Sequence, residues 1–354
     1  MLQKNYAVVR LDERRHEQVD RMLRDAVTRT TAAIGNLDAT LEFARLLGST
    51  TASPGHGRTL QLWQTLATIA SVDLTVARVI EPHLDALAIL REAREGALAT
   101  PNSVWGVFAA EASGVELVAT AHDDGWQLTG RKPWCSLAAR LSHALVTARV
   151  ADGSRRLFAV DLADAGLSVP SGTWAARGLV DVPSGPVDFV RVEAHAVGPA
   201  GWYLNRAGFA WGGIGVAAIW WGGAVGIART LDHSTRQRRA DQIALMHLGA
   251  TDLLIETGRL ALAHAAAVVD ATGVDAEQPE RSGILAHRTR GIVAQTAEAV
   301  ITRAGHAFGP APLALNADHA RRVADLQLYL RQHHAERDEV ALGTMLLDGG
   351  SPTW

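Results

Sequence analysis

The stretch "GRKPWCSL", residues 130–137, closes a strand-like run with a tryptophan, the chain's one cysteine and a serine, directly after a proline and two cations. Around it lie short segments rich in Val, Leu and aromatics: "SVWGVFAAE", "VELVATA", "GWQLTG", "HALVTARV", "RRLFAVDL", "GLSVP" and "VDFVRVEA". Gly, Pro, Asp and Ser separate them, which is the pattern of strands divided by turns. Turn residues at 123–125, 151–153 and 183–185 supply the tight conformations that hairpins need. They predict an antiparallel meander or barrel over residues 103–199.

On either side the period becomes helical. "DERRHEQVDRMLRDAVTRTTAAI", "TLEFARLL", "RTLQLWQTLATIA" and "DLTVARVI" place apolar residues three and four apart. Asp73 stands as an N-cap before Leu74, and Pro82 is expected to kink or restart the helix that follows. Beyond Pro199 four long amphipathic stretches continue to about 345, the last of them "HARRVADLQLYLRQHHAERDEVALG". The fold class expected is α+β, in three domains. Residues 1–102 form an N-terminal α-helical domain, 103–199 a middle antiparallel β-barrel or sandwich, and 200–354 a C-terminal four-helix bundle.

Composition narrows the function. The 354 residues suffice for more than one core, and 34 Lys+Arg against 37 Asp+Glu give a formal charge of -3. Such a balance offers no global field for nucleic acid or an anionic membrane. A single cysteine excludes an internal disulfide, and residues 1–30 alternate charges without a signal-like apolar run, so a cytoplasmic location is expected. Residues 207–228, "AGFAWGGIGVAAIWWGGAVGIA", carry no formal charge but hold seven glycines. That density predicts a closely packed core helix between subunits and no membrane span.

The order helices, strands, helices, together with "GWQLTGRKPWCSLAARLSHALVTARV", resembles the acyl-CoA dehydrogenase superfamily. Its middle domain carries a G-x-K-x-W-[IV]-[ST]-N turn, matched here by Gly130, Lys132, Trp134 and Ser136, with Leu137 in place of the asparagine. "SGPVDFVRVEAHAVGP" is similar to the family's last strand. Arg236 is similar to the arginine that begins its R-x-x-F-G-x-x-[IL]-x-x-x-Q helix, with Arg239-Ala240 at the Phe-Gly place and His247 at the glutamine. Ala304-Gly305 resembles a G-G turn. "VFAAEASGVEL" keeps Glu111 and Gly114 of a T-E-P-x-x-G-S-D loop that here looks shortened.

The resemblance implies FAD as cofactor, with Trp134 stacking on the isoalloxazine and Ser136 addressing its N5/O4 edge. A flat π-system needs an aromatic platform, and N5 needs a rotatable donor. It further implies that the Glu111 loop meets the pyrimidine edge, that Arg236 reaches a neighbouring subunit's FAD pyrophosphate, and that His247 and Gly305 approach the dinucleotide. The partners implied are an acyl-CoA or similar substrate, an electron-transfer flavoprotein, and further copies of the chain in a homodimer or homotetramer.

One part of the resemblance is missing. A dehydrogenase of this family removes an α-proton with a glutamate while hydride passes to N5. Of the family's two positions for that acid, the first bundle helix has none, and the count from Ala324-Asp325 reaches Gln332-His333-His334. His333 is the replacement candidate, as imidazole titrates near neutrality. The reading is therefore an FAD-dependent α,β-dehydrogenation of an acyl thioester. The alternatives are an oxygen-using flavin monooxygenase of the same fold, for which Ser136 with His333 or His334 is the pattern, and a non-catalytic partner subunit. On one helix His334 with Asp338, or His333 with Glu336, would share a face, but two ligands per face are too few to favour a metal. Cys135 reads as a small buried residue.

Overall fold

The computed structural model describes residues 7–12, 16–123, 125–237, 239–273 and 279–348. Asp124, part of the first turn signal, lies outside them, as do parts of both termini. Four helices come first, α1 (Glu17–Ala33), α2 (Leu37–Thr50), α3 (Thr59–Val72) and α4 (Leu74–Glu92). Strands follow: β1 (Trp105–Phe108), β2 (Leu117–His122), β3 (Gly125–Lys132), β4 (His143–Arg149), β5 (Arg155–Asp161), β6 (Leu167–Ser168) and β7 (Val187–Val197). The chain then returns to helices: a short α5 (Trp202–Asn205), then α6 (Ala207–Arg236), α7 (Gln242–Thr272) and α8 (Pro279–Phe308). After these come a short α9 (Ala311–Leu315), α10 (Ala317–Tyr329) and α11 (Glu336–Leu347).

The strands form a small closed barrel, because β4 pairs with β2 on one edge and β5 on the other and so closes the path β4-β2-β3-β7-β5. Two turn signals make the hairpins expected of them, β2–β3 and β4–β5, both antiparallel. The meander does not hold throughout, since β1 and β2 both run parallel to β4. Trp105–Phe108 pair with His143–Val146, and Val118 pairs with Arg149. β1 and β2 thus lie end to end along one edge of β4. Residues 133–142 carry the chain from β3 across the barrel to β4, a crossover that the antiparallel expectation lacked. Phe108, Leu128, Val146, Phe158 and Phe189 fill the interior.

The helices of the two chain ends share one core, in which Trp63 and Ile69 of α3 meet Ala217 and Trp220 of α6, with Leu262, Val293 and Tyr329 in the same cluster. α6 is the one helix among the described residues long and apolar enough to cross a membrane, and 83% of its apolar window is buried inside the protein. Glycine allows that burial: a Cβ on Gly222 would stand 2.3 Å from the Ala67 carbonyl oxygen of α3.

α4 links the parts. Asp73 caps it as expected, accepting the Val76 N–H at 3.0 Å. The helix runs through Pro82 unbroken, against the expected restart, because packing on both sides outweighs one lost backbone hydrogen bond. His83 Nδ1 accepts the Trp105 N–H at 3.3 Å and so ties α4 to β1. Burial, helped by Arg45 and Arg91, pushes the His83 pKa down from 6.5 to about 4. The unfolded chain therefore binds the extra proton first, and stability drops as pH falls from 6.5 toward 4. His83→Asn, which keeps an acceptor near Nδ1, is expected to flatten this acid limb by up to ~3 kcal/mol. Urea midpoints measured from pH 4 to 7 check it; parallel curves for the two proteins would refute it.

Candidate active site

Two constraints shape the turn that follows β3. Gly130 has φ +129°, and a Cβ there would stand 2.3 Å from the Glu116 carbonyl oxygen, so no other residue fits the strand at this point. Lys132 is buried, and its Nζ donates to the Thr147 carbonyl and hydroxyl, each at 2.8 Å. Burial lowers its pKa to about 8, with Glu111 opposing the shift.

Trp134 and Leu137 then adopt left-handed backbone, φ 58° and 57°. Such strain in non-glycine residues persists only where surrounding bonds enforce it. Here Cys135 N–H donates to the Gly185 carbonyl and Leu137 N–H to the Pro183 carbonyl, both at 2.8 Å. The stretch 183–185 is therefore a docking edge for this turn and not the hairpin expected. The turn leaves the Trp134 indole 57% exposed and buries Cys135 and Ser136 on the other side. Burial raises the Cys135 thiol to about 12, which removes it as a nucleophile.

Ser136 Oγ lies 2.9 Å from Arg78 Nη2 and 2.8 Å from Ser184 Oγ. Ser184 spends its own O–H on the Val182 carbonyl at 3.0 Å, so Ser136 is the donor to Ser184 and the acceptor from Arg78. Arg78 reaches Ser136 from α4. Its guanidinium sits 5.4 Å over the Tyr329 ring, and its Nη1 is 3.8 Å from Glu81 Oε2. Trp220 stands edge-on to Tyr329 and to His333, 6.3 Å from each. Arg290 covers Trp220 at 4.8 Å and donates to the Gly213 and Gln332 carbonyls, each at 2.8 Å. Successive contacts through Arg78, Tyr329 and Trp220 thereby link Ser136 to His333, far apart in sequence.

Charge around Arg78 and Glu81 is finely balanced. Burial pushes Glu81 up to about 7, with Arg78 pulling the other way and Asp85 adding to the rise. Tyr329 is raised far above the usual phenol range by burial and by Glu81. Asp85 is raised by burial, and Arg206, 4.0 Å away, only partly offsets this because its shorter contact is to Glu92 at 2.6 Å. Glu81 and Asp85 also line an apolar pocket of about 40 Å³ between α2, α3, α4 and α6, partly open to solvent, with Leu62, Trp63, Leu84 and Trp211 in its walls.

His333 is not in a continuous helix. α10 stops at Tyr329, a 3₁₀ turn covers Leu330–Gln332, and Ala335 takes φ 49° before α11 begins. The break turns His333 inward, where its Nε2 lies 3.7 Å from Asp338, while His334 Nδ1 approaches the same carboxylate at 3.3 Å. The expected His334–Asp338 pairing is thus present, whereas His333 turns to the same Asp338 and not to Glu336. Burial lowers the His333 pKa, with Asp338 opposing.

The other expected residues lie elsewhere. Glu111 pairs with Arg155 at 3.5 Å beside a tight Ala112–Val115 bridge, so its loop is short, as the sequence suggested. Arg236 ends α6 where it was expected to begin a helix, and its guanidinium is held by Asp232 at 2.8 Å. His247 is buried on α7, its ring 6.4 Å from His306. Gly305 lies within α8 and not in a turn, with open space where a Cβ would point. Arg236, His247 and Gly305 gather at one end of the long helices and do not join Ser136. Sequence reasoning missed Arg78, Glu81, Ser184, Tyr329 and Arg290. The available signal was Arg78 and Glu81, three apart within the otherwise apolar "LTVARVIEPH".

No family profile and no curated protein matches the chain in sequence. Solved structures do match it over nearly its whole length. KijD3 in complex with FMN superposes with a TM-score of 0.81 at 18% identity, covering 98% of this chain and 97% of that one. The dibenzothiophene monooxygenase TdsC from Paenibacillus sp. A11-2 gives 0.79 at 16% identity, covering 96% and 99%. Butyryl-CoA dehydrogenase from Megasphaera elsdenii gives 0.80 at 16% identity, covering 95% and 100%. With a closed barrel set between helices that share one core, this chain has the acyl-CoA dehydrogenase fold.

Proposed function

We propose that the protein is a flavin-dependent oxidoreductase that uses dioxygen to oxygenate a small molecule. The observation that carries this reading is the Ser136 cleft. It holds a hydroxyl fixed between Arg78 and Ser184, linked through Arg78, Tyr329 and Trp220 to His333, and no acid at either position where the family keeps its α-proton base. A flavin supplies two-electron chemistry toward a substrate or dioxygen when bound. The residues fit its ring: Trp134 presents an open aromatic face, Ser136 a hydroxyl, and Arg78 Nη1 and Trp220 Nε1 are buried donors that make no hydrogen bond.

The dinucleotide half fits less well within one chain, as Arg236 is engaged by Asp232. FMN and FAD therefore both stand as cofactors for this reading, and FMN is what the KijD3 and TdsC structures contain. The tight Ala112–Val115 turn also leaves little loop to hold a long acyl carrier. Desaturation of an acyl thioester is the second reading, favoured by Glu81 as a buried carboxylate beside Arg78.

Titrating the purified chain with FMN and with FAD tests the cofactor. Trp134→Ala is expected to weaken the preferred flavin by ~10-fold, the worth of one stacked aromatic face. Equal affinity in the two proteins would remove Trp134 from the site. With reduced flavin and isotopically labelled dioxygen, label entering indole or another small nucleophile supports oxygenation. A desaturated acyl thioester without label would return the protein to the dehydrogenases.

A further inference from the structure

The pocket that Glu81 and Asp85 line between α2, α3, α4 and α6 has specific chemical demands. Its walls are apolar, with Leu62, Leu66, Leu84 and Leu87, yet Trp63 Nε1 on its lining and Arg78 Nη1 beside it are buried donors without an acceptor. Each such N–H costs about 1–3 kcal/mol, so both call for an acceptor that the folded chain does not supply. Gly215 of α6 keeps space open over the indole, since even a Cβ there would come no closer than 3.5 Å to Trp63 Nε1. Glu81 lines the same pocket, and its cation, Arg78, stays at 3.8 Å, outside hydrogen-bond reach.

Three ligand classes differ in how they meet these groups. An ammonium would add a cation where Arg78 and Arg290 already act on Glu81 and would leave both donors unanswered. A carboxylate would meet Glu81 and Asp85 with like charge. A hydroxyl can give its proton to one group and take hydrogen bonds from others.

We propose that this pocket takes a compact apolar molecule bearing a weakly acidic hydroxyl, a phenol or an enol, with Glu81 accepting the hydroxyl proton while Trp63 and Arg78 donate to its oxygen. The substrate O–H bond breaks, its electron pair stays on oxygen, and a new O–H bond forms on the Glu81 carboxylate; nothing is oxidised or reduced in this step. The groups facing Glu81 are Arg78, Asp85, Arg290 and Tyr329, and the two guanidiniums offset the negative charge that reaches the substrate oxygen. A carboxylate titrating near 7 is matched to such an exchange at neutral pH. The inference rests on reading the Ser136 cleft as the active site and names its substrate: an oxyanion makes the adjoining carbons more nucleophilic toward an oxygenating agent.

The probe is 3-nitrophenol, whose phenolate absorbs visible light. It is titrated into the full chain, with and without FMN, in buffer slightly above neutral, where the Glu81 carboxylate is ionised and the free compound, a weaker acid than Glu81, stays mostly neutral. The wild type is expected to develop a saturable phenolate band. Glu81→Gln is expected to lose that band ~10-fold or more while its affinity, read by tryptophan fluorescence, stays within ~3-fold. Trp63→Phe is expected to weaken binding by ~3-fold to 10-fold, the worth of one hydrogen bond. Absence of binding, binding without the band, an equal band in the Glu81 variant, or tighter binding of benzylammonium would each overturn the proposal. The assay needs no turnover, so a phenolate band without label incorporation sinks the oxygenase reading alone, and label incorporation without the band sinks this one.

Discussion

Replacing Arg78 by methionine is expected to lower oxygenation of a productive substrate by ~100-fold or more while changing flavin affinity by less than ~5-fold. Arg78 donates to Ser136 Oγ at 2.9 Å, faces Glu81 at 3.8 Å and lies over the Tyr329 ring at 5.4 Å. Methionine fills much of the same volume but supplies neither donor nor charge. Ser136 would then keep only its Ser184 contact, and Glu81, without its nearest cation, would hold its proton to higher pH. Preorganised donors of this kind act on charge that develops during reaction, so the loss is expected in kcat more than in KM. Arg78→Lys is expected to fall between, because one ammonium cannot reproduce a planar fork that reaches two groups. A methionine variant with wild-type kcat would show that Arg78 only supports the fold.

The largest effect on stability is expected on α6. Gly222→Ala places a Cβ 2.3 Å from the Ala67 carbonyl oxygen and 2.8 Å from the Ala67 Cα. Both are backbone atoms of α3, so no side-chain rotation relieves the clash, and the two helices must separate at the centre of the shared core. We expect a loss of ~3 kcal/mol or more, even after the ~1 kcal/mol that alanine gains over glycine in a helix. Gly291→Ala in α8 is the matched control, as nothing lies within 4 Å of its added Cβ. It is expected to be neutral or stabilising by up to ~1 kcal/mol. Similar urea midpoints for the two variants would mean that α6 approaches α3 less closely than described.

The parts of the fold legible in sequence were those set by local pattern. Helical periodicity located α1 to α4 and α6 to α8, an acidic cap marked the start of α4, and turn residues marked two true hairpins. The parallel pairing of β4 was not legible, because strand direction depends on where residues 133–142 cross and not on alternation within a strand. The break at Leu330–Ala335 was missed because its polar residues are compatible with a helix, and only the packed ring of His333 shows why the chain turns. Trp134 and Ser136 could be picked out because a motif spans them. Arg78 and Glu81 stand out only as charges in an apolar run, and what they do emerges when α4 meets Ser136, Tyr329 and β1.

The shared helical core also has a consequence in time. α3, residues Thr59–Val72, packs against α6, residues Ala207–Arg236, and the entire barrel is inserted between them. During synthesis the apolar face of α3, with Trp63 and Ile69, leaves the ribosome long before its partner exists. A non-local core of this kind folds late and exposes its sticky surface meanwhile. The first helices thus depend on a holding chaperone or on provisional packing among themselves, and the chain reaches its final arrangement only once its second half has been made.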